Sequence, residues 1–263
     1  MGIERTRTDA PTGLGARLLH LQERWSDPLL TVLTVLQLML LFVSAPLLAA
    51  TGGVAFQVLS GLILLCIMAG GLVISGSLWV FVLMSIGFGT NLLAIALRLH
   101  GPSTTDIALT ASAWLVIASV LGYVVARLVF GPGRVNYHRV IGAVLLYLLI
   151  ASVFVSIYAF AGMLEPNAFA GMVVEDRPDI AATLIYFSFV TLTSTGYGDI
   201  APVHPIVRSL CNVETIMGQL YPATLLARLV TLELKHRHEL RNERIAGKEA
   251  SRTAHPGHRP RQD

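Results

Sequence analysis

Residues 191–200 read TLTSTGYGDI, where Gly196 and Gly198 flank a tyrosine in an otherwise apolar chain. Glycine adopts left-handed backbone conformations that other residues avoid. Two glycines at this spacing therefore predict an irregular backbone that turns successive carbonyl groups to one side. A row of carbonyl oxygens facing one way is a ligand set for a dehydrated monovalent cation. One chain supplies only one wall of such a site, so we expect several copies around a common axis.

The composition indicates that this stretch lies in a membrane protein. Hydrophobic residues make up 54% of the chain and charged residues 13%, whereas soluble domains carry about 25% charged residues. The mean hydropathy is +0.67. Residues 28–97 contain no Asp, Glu, Lys, Arg or His. These values exclude a soluble globular enzyme, and we expect the lipid bilayer, not a nucleic acid, as the surroundings of the chain.

Six apolar segments of about 20 residues or more are long enough to cross the hydrocarbon core as helices. Clusters of small and turn-forming residues at 51–53 and 75–77 divide the long uncharged run. The predicted spans are residues 28–50, 54–74, 78–98, 107–130, 140–164 and 205–232. Lys and Arg are concentrated before span one, between spans four and five, and after span six. This bias predicts a multi-pass protein of the plasma or inner membrane with both termini in the cytosol.

The segment between spans five and six is too short to cross the membrane and return as a helix. Residues 179–193 are apolar enough to enter the bilayer from the outer side, but the chain must come back as irregular backbone. Such backbone is tolerated at membrane depth only where it is buried in protein or lines a water-filled path. We therefore predict a short re-entrant helix followed by an ion-binding strand.

This strand is similar to the selectivity filter of potassium channels, whose motif is usually written TVGYGD. The matching residues are Ser194, Thr195, Gly196, Tyr197, Gly198 and Asp199. The resemblance covers residues 140–232. It implies an all-α membrane fold with six transmembrane helices, a re-entrant pore helix and a selectivity filter, assembled as a homotetramer. It implies no cofactor and no enzymatic activity, with K⁺ as the permeant ion.

The resemblance also assigns roles to individual filter residues. K⁺ is held by the carbonyls of Ser194, Thr195, Gly196 and Tyr197 and by the first side-chain oxygen, and Gly198 completes the filter. Ser194 keeps the hydroxyl of the usual threonine but lacks the methyl group that restrains its rotamer. Thr195 replaces the usual valine, and we expect its side chain to point away from the axis.

An aromatic pair beside the filter, Trp-Trp in many potassium channels, is Tyr186 and Phe187 here. Tyr186 keeps a hydroxyl that can donate a hydrogen bond toward Asp199 or Tyr197. Phe187 has no such donor, and packing of the pore helix is its better interpretation. The predicted filter supports are Asp199, Tyr186 and Thr193.

Span six has two features of an inner helix that lines a pore. Gly218 lies where potassium channels commonly have a glycine that permits bending, and Pro222 lies one turn further on. Proline removes a backbone donor and kinks helices. Bending and close helix packing both explain a glycine at position 218.

Glu214 is the only acidic residue of span six before its cytosolic end. An ionisable residue at such depth is a functional candidate. If Glu214 faced the central cavity of the pore, its four copies in the tetramer would concentrate cations there and strengthen block by cytosolic polycations. Because Glu214 and Gly218 share one helix face, we expect Glu214 behind the filter instead, hydrogen-bonded to hydroxyls of the pore helix such as Thr191 or Thr193. A third interpretation places Glu214 high enough to be wetted from the outer side.

The predicted division of the chain has four parts. Residues 1–27 form a cytosolic amphipathic segment, residues 28–130 a four-helix transmembrane domain, residues 131–232 the pore domain, and residues 233–263 a basic cytosolic tail. Span four carries a single basic residue, Arg127, instead of the Arg ladder of a voltage sensor. Voltage sensing usually needs about 3 to 4 charges per subunit, so we expect weak or no voltage dependence.

The predicted function is passive conduction of K⁺ through a tetrameric pore. A channel-like potassium transporter component would use several unequal filter loops in one long chain, but the sequence has one loop and no internal repeat. A membrane enzyme would need a nucleophile, a base or a metal cluster in the spans, and the eight histidines fall in termini and loops. A non-conducting regulatory subunit remains an alternative on sequence alone.

Overall fold

The computed structural model describes residues 28–51, 54–75, 77–98, 104–131, 137–175, 177 and 179–254. Within these ranges the chain forms seven helices and one two-stranded ribbon. The helices are α1 at residues 28–51, α2 at Val54–Ser75, α3 at Leu78–Arg98, α4 at Thr104–Val129, α5 at Tyr137–Leu164, α6 at Ile180–Leu192 and α7 at Pro205–Ala254. Strand β1, Phe169–Ala170, pairs antiparallel with β2, Ala201–Pro202. The amphipathic segment predicted at residues 1–27 and residues 255–263 of the predicted tail lie outside the described residues.

Apart from the C-terminal end of α7, the helices coincide with the predicted apolar segments to within about one turn. Among the described residues, four helical segments are long and apolar enough to cross a membrane. These segments are Pro28–Leu47, Leu78–Leu97, Thr105–Val129 and Tyr137–Leu164. Two further apolar segments, Gly61–Ser75 of α2 and Ile180–Leu192, are shorter. The chain is therefore a mostly helical, multi-pass membrane protein, and α7 runs from the sixth predicted span into the tail as one helix of 50 residues.

Prolines determine where several helices begin, end or change geometry. A π-helical turn at Leu40–Ser44 interrupts α1 just before Pro46. The proline ring collides with the carbonyl four residues earlier, and a wider turn accommodates it. Helix α5 ends at Leu164, beside the Glu165–Pro166 pair, because the residue before proline avoids the helical conformation. Helix α7 begins at Pro205, where the missing N–H would have no intrahelical partner.

Two clusters of buried side chains hold the helices together. The first joins α1 to α5 and includes Leu30, Ile67, Met84, Leu121 and Leu145. The second joins α5, the ribbon, α6 and α7, and it is centred on aromatic rings. Its rings belong to Phe154, Tyr158, Phe169 and Phe187. The ring of Tyr158 lies 5.0 Å from that of Phe187, so α6 is fixed against α5 by aromatic packing.

Candidate functional site

Helix α6 is short, apolar and packed between α5 and α7, with a further contact to α1. Phe187 is buried in the second cluster, in agreement with the packing interpretation. Phe189 meets Phe42 of α1 with 4.9 Å between ring centroids. The C-terminal end of α6, from which TLTSTGYGDI continues, is thus held by helices from both parts of the chain.

The backbone of residues 194–198 alternates in handedness. The angle φ is +57° at Ser194, +58° at Gly196 and +81° at Gly198, and it is not positive at Thr195 or Tyr197. Alternating right- and left-handed residues turn successive N–H groups to one side. In a trans peptide the C=O points opposite to the N–H, so the carbonyls turn to the other side. This geometry is the one that a row of carbonyl ligands requires.

Hydrogen bonds anchor the start of this strand on α6. The N–H of Ser194 donates to the carbonyl of Thr191 at 3.0 Å, and the N–H of Thr195 donates to the carbonyl of Val190 at 2.9 Å. Residues other than glycine rarely have positive φ. Among the described residues, Ser194 is the one non-glycine residue with a positive φ. The amide of Gln219 on α7 donates to the Ser194 hydroxyl at 2.7 Å. Ser194 is therefore held from both α6 and α7.

The side chains of Thr193 and Thr195 contact one another rather than α7. Their hydroxyl oxygens are 2.8 Å apart, and the Thr193 hydroxyl also donates to the carbonyl of Phe189 at 2.6 Å. Thr195 thus forms a side-chain hydrogen bond that valine, which has no hydroxyl, could not form. This pair links the filter side chains to the last turn of α6.

The outer end of the filter is packed against aromatic and ribbon residues. The ring of Tyr186 stacks on that of Tyr197, with 6.3 Å between centroids and an interplanar angle of 3°. The Tyr186 hydroxyl interacts with the Asp199 carboxylate. Gly171 follows β1 with φ of +87°, and a Cβ atom there would lie 2.1 Å from the carbonyl oxygen of Asp199. The ribbon therefore passes so close to the filter that only glycine fits.

Glu214 is completely buried and bridges three helices. Tyr158 of α5 donates to one carboxylate oxygen, Oε2, at 2.6 Å. Ser188 of α6 donates to the other, Oε1, at 2.5 Å. The carboxylate accepts from a hydroxyl of α6, the expected class of partner, but this hydroxyl belongs to Ser188 and not to Thr191 or Thr193. Thr191 and Thr193 use their hydroxyls to bond carbonyls of α6 itself, whereas Ser188 lies on the face that meets α7.

Sequence reasoning therefore missed Tyr158, Ser188 and Gln219 as partners of the site. Tyr158 is the hydroxyl-bearing residue of the apolar second cluster, and the buried Ser188 follows Phe187 of that cluster along α6. A buried polar group in such surroundings requires a partner, and the carboxylate of Glu214 likewise requires hydrogen-bond donors. This requirement predicts that hydroxyl-bearing residues contact Glu214, but it does not predict which ones.

Gly218 permits α7 to contact the end of α6. A Cβ atom at this position would lie 1.8 Å from the carbonyl oxygen of Leu192, so close packing accounts for the glycine. Pro222 lies inside α7 and lacks the N–H that would bond the carbonyl of Gly218, four residues earlier. The backbone is therefore weakened at the glycine, and bending there stays a prediction.

Residues 142–234 match the family model described as ion channel. Over these residues the chain is similar to ion channels. The matched part begins in α5, contains α6 and TLTSTGYGDI, and ends in α7. It is less than half of the chain. No curated protein and no solved structure shows significant similarity to the chain.

The similarity to ion channels agrees with the geometry of the same residues. It supports an ion-channel domain and ion transport as the function of this part of the chain. Among the described residues there is no cluster of three or more His, Cys, Asp or Glu side chains that would hold a metal ion.

Proposed function

We propose that the protein is a potassium-selective channel, a homotetramer with six spans per subunit that conducts K⁺ passively through a central pore. The observation that carries this proposal is the alternating φ at Ser194, Gly196 and Gly198, directly after a short helix that ends inside the protein. In the proposed membrane, both termini lie in the cytosol. The filter then lies near the outer face, and α7 lines the inner part of the path.

Four copies are needed because one chain leaves the filter open. In the single chain, the side chain of Tyr197 is 71% exposed, and residues 193–199 are exposed throughout. Polar irregular backbone does not face lipid, so other protein or water must cover it. Apolar residues of α7 on the cytosolic side of the filter, including Ile216 and Leu220, are also more than half exposed. Neighbouring subunits would cover this face and close the ring of carbonyls.

Potassium selectivity follows from a carbonyl site that replaces the hydration shell of the ion. Such a site must resist collapse around a smaller ion. The hydrogen bonds from Ser194 and Thr195 to α6 and the stacking of Tyr186 on Tyr197 restrain the strand along its length. These contacts are the elements of the structure that support discrimination between K⁺ and Na⁺.

The test is ion flux into liposomes that contain only the purified full-length protein. We expect K⁺ flux to exceed Na⁺ flux by at least about tenfold, and native mass measurements to give four subunits. Gly196→Ala, which forces alanine into positive φ, should abolish the K⁺ flux. Gly89→Ala is the matched control, because a Cβ atom there meets no atom within 4 Å.

Each alternative function has its own outcome in this experiment. A non-conducting regulatory subunit gives correctly assembled protein without K⁺ flux. A transporter component gives flux that needs a second ion or an energy source. Equal fluxes of K⁺ and Na⁺, or a dimeric mass, contradict the proposal directly.

A further inference from the structure

A cavity of about 190 Å³ lies where the first four helices meet α5 and α6. Every helix from α1 to α6 contributes to its wall. One wall residue from each helix, in the order α1 to α6, is given by Leu41, Leu64, Asn91, Trp114, Val155 and Leu184. The wall is mostly apolar. The cavity is separate from the filter, but it shares α6 with it.

Asp106 lines this cavity from the first turn of α4. Its side chain is only 4% exposed. Neither carboxylate oxygen has a hydrogen-bond partner in the part of the chain that the structure describes. Burial of an unpaired carboxylate is costly unless a positive charge or hydrogen-bond donors compensate it. The cavity therefore carries an unsatisfied anionic group inside an apolar wall.

The three serine side chains of the wall are already engaged in hydrogen bonds. The hydroxyl of Ser44 donates to the carbonyl of Leu40, and that of Ser156 donates to the carbonyl of Ser152. Ser152 accepts a hydrogen bond from Gln37. The serines therefore offer few donors to Asp106, and neither oxygen of Asp106 is bonded to Asn91 or Thr110 of the same wall. A cationic molecule inside the cavity would supply the missing partner.

The wall chemistry identifies the class of occupant. A multivalent metal ion needs several oxygen or nitrogen ligands, whereas the cavity has one carboxylate and mostly hydrocarbon. An apolar cavity of about 150 Å³ is large enough for benzene. We propose that this cavity binds a small organic ammonium ion, whose charge pairs with Asp106 and whose hydrocarbon body lies against Trp114 and Leu184. The face of Trp114 supplies a second favourable contact for a cation.

The site is placed to act on the filter through α6. Ile180, Ala181, Leu184 and Ile185 belong to the cavity wall, and the C-terminal end of the same helix anchors Ser194 and Thr195. An occupant that fills the cavity packs against the face of α6 that carries Ala181, Leu184 and Ile185. We therefore expect the bound ammonium ion to change K⁺ flux. This regulatory part rests on the proposed function, whereas binding itself does not.

Binding is tested with cyclohexylammonium and its neutral counterpart cyclohexanol. Trp114 fluorescence reports occupancy in the full-length protein when the other two tryptophans, Trp25 and Trp79, are replaced by phenylalanine. Cyclohexylammonium should bind saturably and at least about tenfold more tightly than cyclohexanol, because ionic hydrogen bonds are stronger than neutral ones. Asp106→Asn should remove this difference. Glu165→Gln, which removes an exposed acid elsewhere on the outer side, should preserve it.

Equal affinities of the two probes for the wild-type protein would overturn the proposal without any variant, and they would mark the cavity as a purely apolar site. Equal losses of cyclohexylammonium affinity in Asp106→Asn and Glu165→Gln would also overturn the proposal. Liposome flux tests the regulatory part: unchanged K⁺ flux at saturating cyclohexylammonium would show that part to be wrong. Absence of K⁺ flux without any ligand would instead contradict the proposed channel function and leave the binding result intact.

Discussion

Glu214 is the residue on which three helices of the ion-channel domain meet. Its two carboxylate oxygens accept from different helices, α5 through Tyr158 and α6 through Ser188. Hydrogen bonds to charged groups contribute about 1.5–3 kcal/mol each, and a buried group left without its partner costs more than the bond itself gains. The network therefore fixes the distance between α7 and α6, the helix from which the proposed filter continues.

We expect Glu214→Gln to destabilise the filter and to leave the ion-conducting pore cavity unchanged. Glutamine keeps the shape of glutamate but offers one acceptor oxygen instead of two. Channel inactivation should change, whereas block by cytosolic polycations should stay as in the wild type. Single-channel recordings from both sides of the bilayer measure the two effects together. Loss of block with normal inactivation would contradict the position behind α6.

Tyr158→Phe tests the same network from α5. The ring contacts with Phe169 and Phe187 remain, so only the hydroxyl is lost. We expect the unfolding free energy to fall by about 1–3 kcal/mol and inactivation to change in the same direction as in Glu214→Gln. Additive effects in the double variant would show that Tyr158 and Glu214 act independently.

Gly218→Ala should prevent correct packing of α7 on α6. The added methyl group would meet the backbone carbonyl of Leu192, which cannot move without shifting the filter anchor. Overpacking of this kind costs about 1–3 kcal/mol, and we expect loss of tetramer in size-exclusion measurements. Gly89→Ala, in open surroundings on α3, should instead leave assembly unchanged or improve it slightly. A stable tetramer of Gly218→Ala with altered opening would favour the hinge.

At the scale of elements, the side chain of Arg228 joins the end of α4 to α7. The guanidinium of Arg228 on α7 donates to the carbonyl of Phe130 at 2.8 Å and lies 5.0 Å from the centre of its ring. It also donates to the carbonyl of Gly131 at 3.3 Å. Carbonyls at the C-terminal end of a helix lack intrahelical partners and carry partial negative charge. Arg228 therefore caps the C-terminal end of α4 and joins that end to α7.

Replacement of Arg228 should loosen this connection. Lysine keeps the charge but loses the planar group that contacts the ring and two carbonyls, so we expect Arg228→Lys to lower stability by about 1 kcal/mol and Arg228→Gln by more. Thermal unfolding of the purified protein measures the order. Arg241→Gln, an exposed position further along α7, is the control. A larger loss in Arg241→Gln than in Arg228→Gln would contradict the capping role.

The elements were more predictable from the sequence than the contacts between them. Long apolar runs, prolines and glycines gave the helix bounds, because bilayer thickness and backbone sterics constrain them locally. The glycine spacing of TLTSTGYGDI gave the irregular strand for the same reason. The partners of Glu214 and of Ser194 depend on how α5, α6 and α7 rotate against one another, and residue spacing within one helix contains no such information. The cavity beside Asp106 is likewise a product of six helices.

At the scale of the whole molecule, the chain couples an ion-channel domain to four helices whose charges are few. Within the described part of α4, the acidic Asp106 lies in the first turn and the basic Arg127 in the last. The Arg127 guanidinium lies 5.8 Å from the ring centre of Tyr123. In the proposed topology this basic group is already at the cytosolic end of the field. Its movement would carry little charge across the membrane.

The voltage dependence of the proposed channel should therefore be shallow. A charge that crosses the whole field at 100 mV changes the energy by about 2.3 kcal/mol, and steep gating uses about 3 to 4 such charges per subunit. Arg127 crosses only a small part of the field, so Arg127→Gln should leave the dependence of open probability on voltage unchanged. Planar bilayer recordings without cytosolic polycations measure this dependence without voltage-dependent block. A steep rise of open probability that Arg127→Gln removes would show that α4 senses voltage through this single side chain.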